Sequence, residues 1–281
     1  MKGKKYELLE DHFIWYSGRN IKLFRIRALV DIPIHRVKNG DIGGFVQDYA
    51  NLSQEGRAWI GGDAKVFDSA LVDGDAIVHG SSLVYENAIV GGTSEIDGGT
   101  VAGSAVVSGD SAVRGDSVVA GHCVVSNASV CELGRVLGMA TVENSVVGEC
   151  AFVDGQAKVR NTYLHCCARV LGKARVIGAT NSRTSLSIGG YACISGDAVV
   201  RRQSDFCVVC LPMRRDDMGR VAKYVTYVPS CRTWFCDGHK GMSSDELVNM
   251  EKKVSPERGR SAMSIVKAYE ECFEVYKKER N

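Results

Sequence analysis

Two sets of residues in this sequence have the types that could do chemistry, a scatter of histidines and a run of cysteines. A histidine serves as a general base when its pKa lies near the working pH and the acceptor sits within about 3 Å. His79, His122 and His165 fall mid-chain, in segments rich in Val, Gly and Asp. The C-terminal third offers Cys207, Cys210, Cys231, Cys236 and His239, in "CVVC" followed by "CRTWFCDGH". Thiolates with an imidazole could hold a tetrahedral zinc. Against zinc, Cys207 and Cys210 lie in a Val-rich strand, where a three-residue spacing points them to opposite faces. The expectation is therefore strand thiols and no metal. Eleven cysteines, an odd number, also argue against a disulfide framework. No P-loop or dinucleotide fingerprint occurs among the glycines.

What positions these residues is a count of six. From Asp63 to Gly92, "DAKVFDSALVDGDAIVHGSSLVYENAIVGG" places valines at 66, 72, 78, 84 and 90. On a helix, successive valines would be thrown about 240° apart and form no stripe. Six is divisible by two, so a strand reading survives. Numbered from its small residue, each hexamer has Ala or Ser at position one and Val or Ile at position three. The pattern reads as slipping by one residue after Thr100 and resuming at Ala105, Ser111, Ser117, Cys123, Ser129 and Arg135. Five-residue units then begin at Arg135, Ala140 and Ala157. In this register 19 of 21 third positions from Ile60 to Val176 are Val, Ile or Leu. Four extended residues and a two-residue corner make one side of a triangle, with Gly, Asp, Asn or Ser where positive φ is cheap. Three sides give a coil of about 18 residues, and coils stack at about 4.8 Å. The sequence thus predicts a mainly β, parallel β-helix solenoid of about eight coils over 58–200. In it, Cys123 at a first position and Cys131 at a third are packing residues.

Such hexamers resemble the hexapeptide-repeat family, whose fold is the single-stranded left-handed β-helix and whose best-known members are acyltransferases. "KYELLEDHF", "LFRIRALVDI", "VKNGDIGGFVQDYANLSQEGRAWI" and the closing "VTYVPSCRTWFCDGHKGMSSDELVNM" are more specific. They resemble the YdcK-like hexapeptide-repeat proteins of bacteria and phages, mostly uncharacterised and labelled acyltransferases by their repeats. The resemblance covers nearly the whole chain and implies left-handedness, a homotrimer, and a host-directed partner where the gene is a phage's.

The ends depart from the repeat. An uncapped solenoid would expose strand edges that recruit other chains. Residues 1–57 are expected to form an N-terminal β cap with strands over 6–9 and 23–30. Residues 201–281 are expected to form an α+β appendage: a hairpin over 206–213 and 222–228, then two helices. Ser243 with Glu246 forms a capping box, and Ser255 with Pro256 starts the second helix. Ala262, Ile265, Val266, Tyr269, Cys272, Phe273 and Tyr276 recur on one face of it, expected to pack on the hairpin. The start has no apolar run long enough for a signal peptide, and no 18-residue apolar span follows, so the expectation is a cytoplasmic protein, in the host cytoplasm if phage-encoded. A net charge of +2 leaves no electrostatic footprint for nucleic acid.

Second positions should face outward. They read Leu71, Ile77, Leu83, Ile89, Val101, Val106, Val118, Val124, Val130, Val136, Val146 and Phe152, an apolar wall expected to pack against other copies in a homotrimer. Two functions follow from different classes. One is a non-catalytic binding or scaffold protein, with a protein partner and no membrane or nucleic acid. The other, implied by the resemblance, is transfer from acetyl-CoA or another acyl-CoA to a hydroxyl or amine, with His165 or His79 as base. His79 and His165 fall at fourth positions of one face, five coils and so about 24 Å apart, which excludes joint action. No carboxylate is placed by sequence to orient either. Candidate binding residues are Arg183 in "GATNSRTSLSIGGY", Arg214, Arg215, Asp216 and Asp217 in the turn "RRDDMGR", and His239 in "CDGHKG".

Overall fold

The computed structural model describes residues 3–16, 19–180, 186–212, 222–236 and 241–278. Its main body is a parallel β-solenoid of three walls, each made of strands two or three residues long. The chain runs from the first wall (Lys65–Val66) to the second (Leu71–Val72) to the third (Ile77–His79), then returns to the first one rung higher at Leu83–Val84. The second and third walls have eight strands each, so the stack is about eight turns. Each rung pairs with the next in unbroken register, as in Leu71↔Ile89, Ile89↔Val106 and Val106↔Val124.

The interior is set by two positions of each unit. Third positions are sealed: Val66, Val72, Val78, Val84 and Val90 are all 0% exposed. First positions stay small because their side chains also point inward, where a larger group would hold the walls apart. Where serine stands there, its hydroxyl donates to a nearby carbonyl. Ser94 Oγ reaches Gly91 O at 2.7 Å and Ser117 Oγ reaches Val130 O at 3.2 Å. A buried hydroxyl is tolerated only when satisfied in this way.

The slips fall at different residues from those the sequence suggested. The first is lost from the corner Asp97–Gly98, one unit early, so Gly99 takes a first position, Thr100 faces out and Val101 is buried. The second is lost at Ser126–Asn127, which makes Ala128 small and inward and Val130 an interior residue. Units of five begin at Ala140 and Ala157 as expected, but none begins at Arg135. With these corners, all 21 third positions from Ile60 to Val176 are aliphatic. Val101, Val130 and Val136 therefore belong to the core and not to the outer wall, while Cys131 stands half-buried at a corner and not in the interior. Cys123 does lie inward, its thiol pushed up to about 11 by burial. Both errors come from treating a lost residue as a change of residue type. Alternation alone does not reveal which corner has shortened.

Both ends are covered. Strand Tyr6–Tyr16, longer than predicted, and Ile21–Ala28, of the predicted length but two residues earlier, form an antiparallel pair, and an unforeseen third strand, Ile42–Val46, joins them in parallel to Lys65–Val66. Lys5 Nζ donates to Ala58 O at 2.9 Å, and Tyr6 OH to Leu52 O at 2.8 Å, tying the cap to the first coil. At the other end, Cys207–Pro212, Ala222–Val228 and Thr233–Phe235 form an antiparallel sheet, the last strand again unforeseen. Its Val228 and Phe235 join the solenoid core, and Cys193 N donates to Thr226 Oγ1 at 2.8 Å. Helices α1 (Ser244–Val254) and α2 (Pro256–Lys278) cover the sheet's other face. The Ser243–Glu246 capping box is present. On α2, Ala262 and Val266 are buried against the sheet, but Cys272 is exposed. The side chains of Phe273 and Tyr276 lie outside the described residues. No helix of the described residues is long and apolar enough to cross a membrane.

Adjacent residues 129 and 130 test this register. Val130→Asp should cost several kcal/mol by burying a carboxylate without a partner, whereas Ser129→Asp should change stability by less than about 0.5 kcal/mol. Urea denaturation followed by circular dichroism distinguishes them, and the reverse order would restore the five-residue unit at Arg135 in place of the shortened corner at Ser126–Asn127.

Candidate functional site

Outward side chains differ between walls. On the second wall, Leu71, Ile89, Val106 and Val124 stand in register on four consecutive rungs. Ile89 is 40% and Val124 38% exposed. The fourth positions beside the last three are Gly91, Ser108 and Ser126, without charge. Above Val124 the column turns polar and then basic, through Thr141, Lys158 and Arg175. The other expected outward residues are dispersed. Leu83, Val118 and Phe152 alternate with polar residues on the first wall, and Ile77 and Val146 are separated on the third.

Along the corner between the second and third walls runs an open trough of about 860 Å³. One side is built by Asn127, Asn144 and Asn161, all with left-handed φ, near +50°. Asparagine tolerates this backbone better than most side chains. These are the five-residue corners, and the Asn161 amide donates to Gly178 O at 3.1 Å. The floor is small, with Ala112 and Ser129, and the ends carry Glu95 with Arg114 and Tyr163. Nothing in the repeat pattern marked this trough. The signal was there in the one-coil spacing of the asparagines, 17 residues apart.

His79 sits beside that trough in a charged group. Its Nε2 is 3.0 Å from Glu95 Oε1, and its Nδ1 is 3.5 Å from Asp97 Oδ1. Carboxylates therefore do flank His79, contrary to the sequence reading, because a residue one rung higher is a lateral neighbour. Arg114, another rung up, pairs with Glu95's other oxygen. The Arg114 guanidinium, then His79, holds the Glu95 carboxyl below the usual range.

His165 lies on the same wall five rungs up, as the register implied. Its Nε2 is 3.0 Å from Ser187 Oγ, its Nδ1 3.2 Å from Cys166 Sγ, and its ring stacks on Tyr163 at 4.9 Å. Glu149 on the rung below completes a group whose ligand atoms all lie within 4.8 Å of one another. Among the described residues this is the one such group of three His, Cys, Asp or Glu side chains. Among the described residues, which do not include His239, the C-terminal thiols do not make another. Cys207 is half-buried, its thiol pushed up to about 11 by burial, Cys210 and Cys231 are exposed, and Cys236 is buried. Arg183, Arg214, Arg215, Asp216, Asp217 and His239 lie outside the described residues. His122 is exposed at a corner.

Comparison of the chain with protein-family models and with curated proteins finds no match. The class that fold and surface define is a capped parallel β-solenoid with an α+β appendage.

The Glu95 network makes a prediction about pH. A carboxyl whose folded pKa is depressed contributes stability above its unfolded pKa and loses it as pH falls through the folded value. Melting temperatures of the wild type and Glu95→Gln should differ at neutral pH. They should converge as pH falls below the ordinary glutamate value of about 4.3.

Proposed function

We propose that this chain is a non-catalytic binding or scaffold protein that assembles as a homotrimer of β-solenoids. The observation that carries this is the second-wall stripe of Leu71, Ile89, Val106 and Val124. A flat, in-register apolar face is what a neighbouring copy would cover, and each covered Val or Leu is worth about 1.5–3 kcal/mol. In a closed ring of three, the stripe of each copy meets a different surface of its neighbour, so every stripe is covered and none is left open. That arrangement leaves the asparagine-lined trough and the appendage to meet another macromolecule, a host protein where the gene is a phage's.

The histidine geometry supports the same reading over acyl-CoA-dependent transfer. A general base needs a ring nitrogen free to take the acceptor's proton. His79 has carboxylates at both nitrogens, and His165, with Nε2 at Ser187, turns Nδ1 toward the Cys166 thiol.

Light scattering on the full chain should give the mass of three copies. Ile89→Lys with Val106→Lys should give single chains with an unchanged far-ultraviolet dichroism spectrum, and acetyl-CoA should produce no binding heat. A monomeric wild type defeats the assembly. Acetyl-CoA binding with turnover lost in His165→Ala or His79→Ala defeats the non-catalytic reading.

A further inference from the structure

We propose that Glu149, His165 and Cys166 form a binding site for a soft divalent ion of the zinc class. The site lies on the ridge where the third wall turns into the first.

The donor set is one carboxylate, one imidazole and one thiolate, a combination that suits zinc and not magnesium or calcium. One edge of the site already has the spacing of a coordination sphere, and all three ligand atoms lie within 4.8 Å of one another, so a small side-chain adjustment closes the sphere. Two ligands on a tetrahedral zinc, with bonds of about 2.0–2.1 Å to nitrogen and about 2.3 Å to sulfur, lie about 3.5 Å apart. His165 Nδ1 and Cys166 Sγ are 3.2 Å apart. The carboxylate is held in place as well, since Cys166 N donates to Glu149 Oε2 at 2.9 Å.

The imidazole is fixed from every side. In the tautomer that donates Nε2–H to Ser187 Oγ, Nδ1 presents its lone pair beside the thiol, the arrangement an orienting hydroxyl gives a metal-bound histidine. Tyr163 stacks on the ring with 15° between planes. Gly189, on the rung above, leaves the space the ring occupies: a Cβ there would lie 2.1 Å from His165 Cε1.

The corner column holding Cys166 runs Gly62, Gly80, Gly98, Gly115, Glu132, Glu149, Cys166 and Gly190, all with positive φ. Glu149 and Cys166 take that left-handed conformation at +52° and +54°, where glycine would be easier. On binding, the ion replaces the Cys166 thiol proton, which passes to solvent, and the fourth position of the tetrahedron stays open to water. The ion would pin two successive coils, the rung that leads to Glu149 and the rung that leads to Cys166.

The test uses the full chain, stripped with a chelator and kept reduced by a phosphine. Cobalt titration should give a near-ultraviolet sulfur-to-metal charge-transfer band that saturates at one ion per chain. Zinc should displace the cobalt. Cys166→Gly, which relieves the corner's backbone, should raise the melting temperature of the metal-free chain and abolish the band. Ser187→Ala and Gly189→Ala should weaken zinc binding about 10- to 100-fold through the imidazole's orientation. Cys150→Ser with Cys167→Ser, thiols on the same ridge, should leave the band intact. The proposal is overturned if the wild type gives no band, if the band survives Cys166→Gly, or if the Cys150/Cys167 pair removes it. The C-terminal thiols Cys207, Cys210, Cys231, Cys236 and Cys272 are present in every variant, so a band carried by them would survive all of these substitutions.

Discussion

The closure of a three-walled interior by one aliphatic and one small side chain per unit is the constraint from which the rest of this molecule follows. A strand of two or three residues has too little surface to be stable alone. Its stability comes from the rung above, the rung below and the two facing walls, all of which meet at the third position. Because that position must be apolar and the first must be small, only the second and fourth positions and the corners are free to vary. Every chemically interesting residue of the solenoid stands at one of these free places.

Corners are also where rungs communicate. Successive corners stack at about 4.8 Å, so residues one coil apart, 16 to 18 in sequence, become side-by-side neighbours. His79 meets Glu95 and Asp97 this way, Glu143 meets Arg160, and Glu149 meets Cys166. A parallel stack thereby assembles polar clusters from residues with no local sequence relation. It also penalises bulk in the left-handed corner residue, so glycine predominates and each Asn, Glu or Cys there needs a compensating contact. Asn161 finds one in the Gly178 carbonyl, and Glu149 finds one in the Cys166 amide.

The ends solve a different problem. A stack of parallel rungs has open edges at both termini, and each is closed by antiparallel structure that cannot propagate. At the start, Ile42–Val46 is the adaptor, antiparallel to the cap on one side and parallel to the first coil on the other. At the finish, the three-stranded sheet contributes Val228 and Phe235 to the solenoid core while Trp234, between them and the helices, packs the opposite way. Alternation along one short strand thus serves two cores.

The solenoid, the number of coils, the identity of nearly all core residues, the capping box and the helix starting at Pro256 were determined by the sequence itself. They depend on periodicity, and periodicity is a local property. What the tertiary structure decided was where the period breaks. Losing a residue at Asp97–Gly98 or Ser126–Asn127 leaves an alternating apolar pattern legible in either register, so Val101, Val130 and Val136 could be placed outside when they are within. Pairing with the rungs above and below removes the ambiguity, because each strand must align with its neighbours as well as with its own pattern. The same reason explains the clusters. The one-coil spacing that joins His79 to Glu95, or Glu149 to Cys166, acquires meaning only once the coil's length is fixed at every turn, and that length is set by the stack.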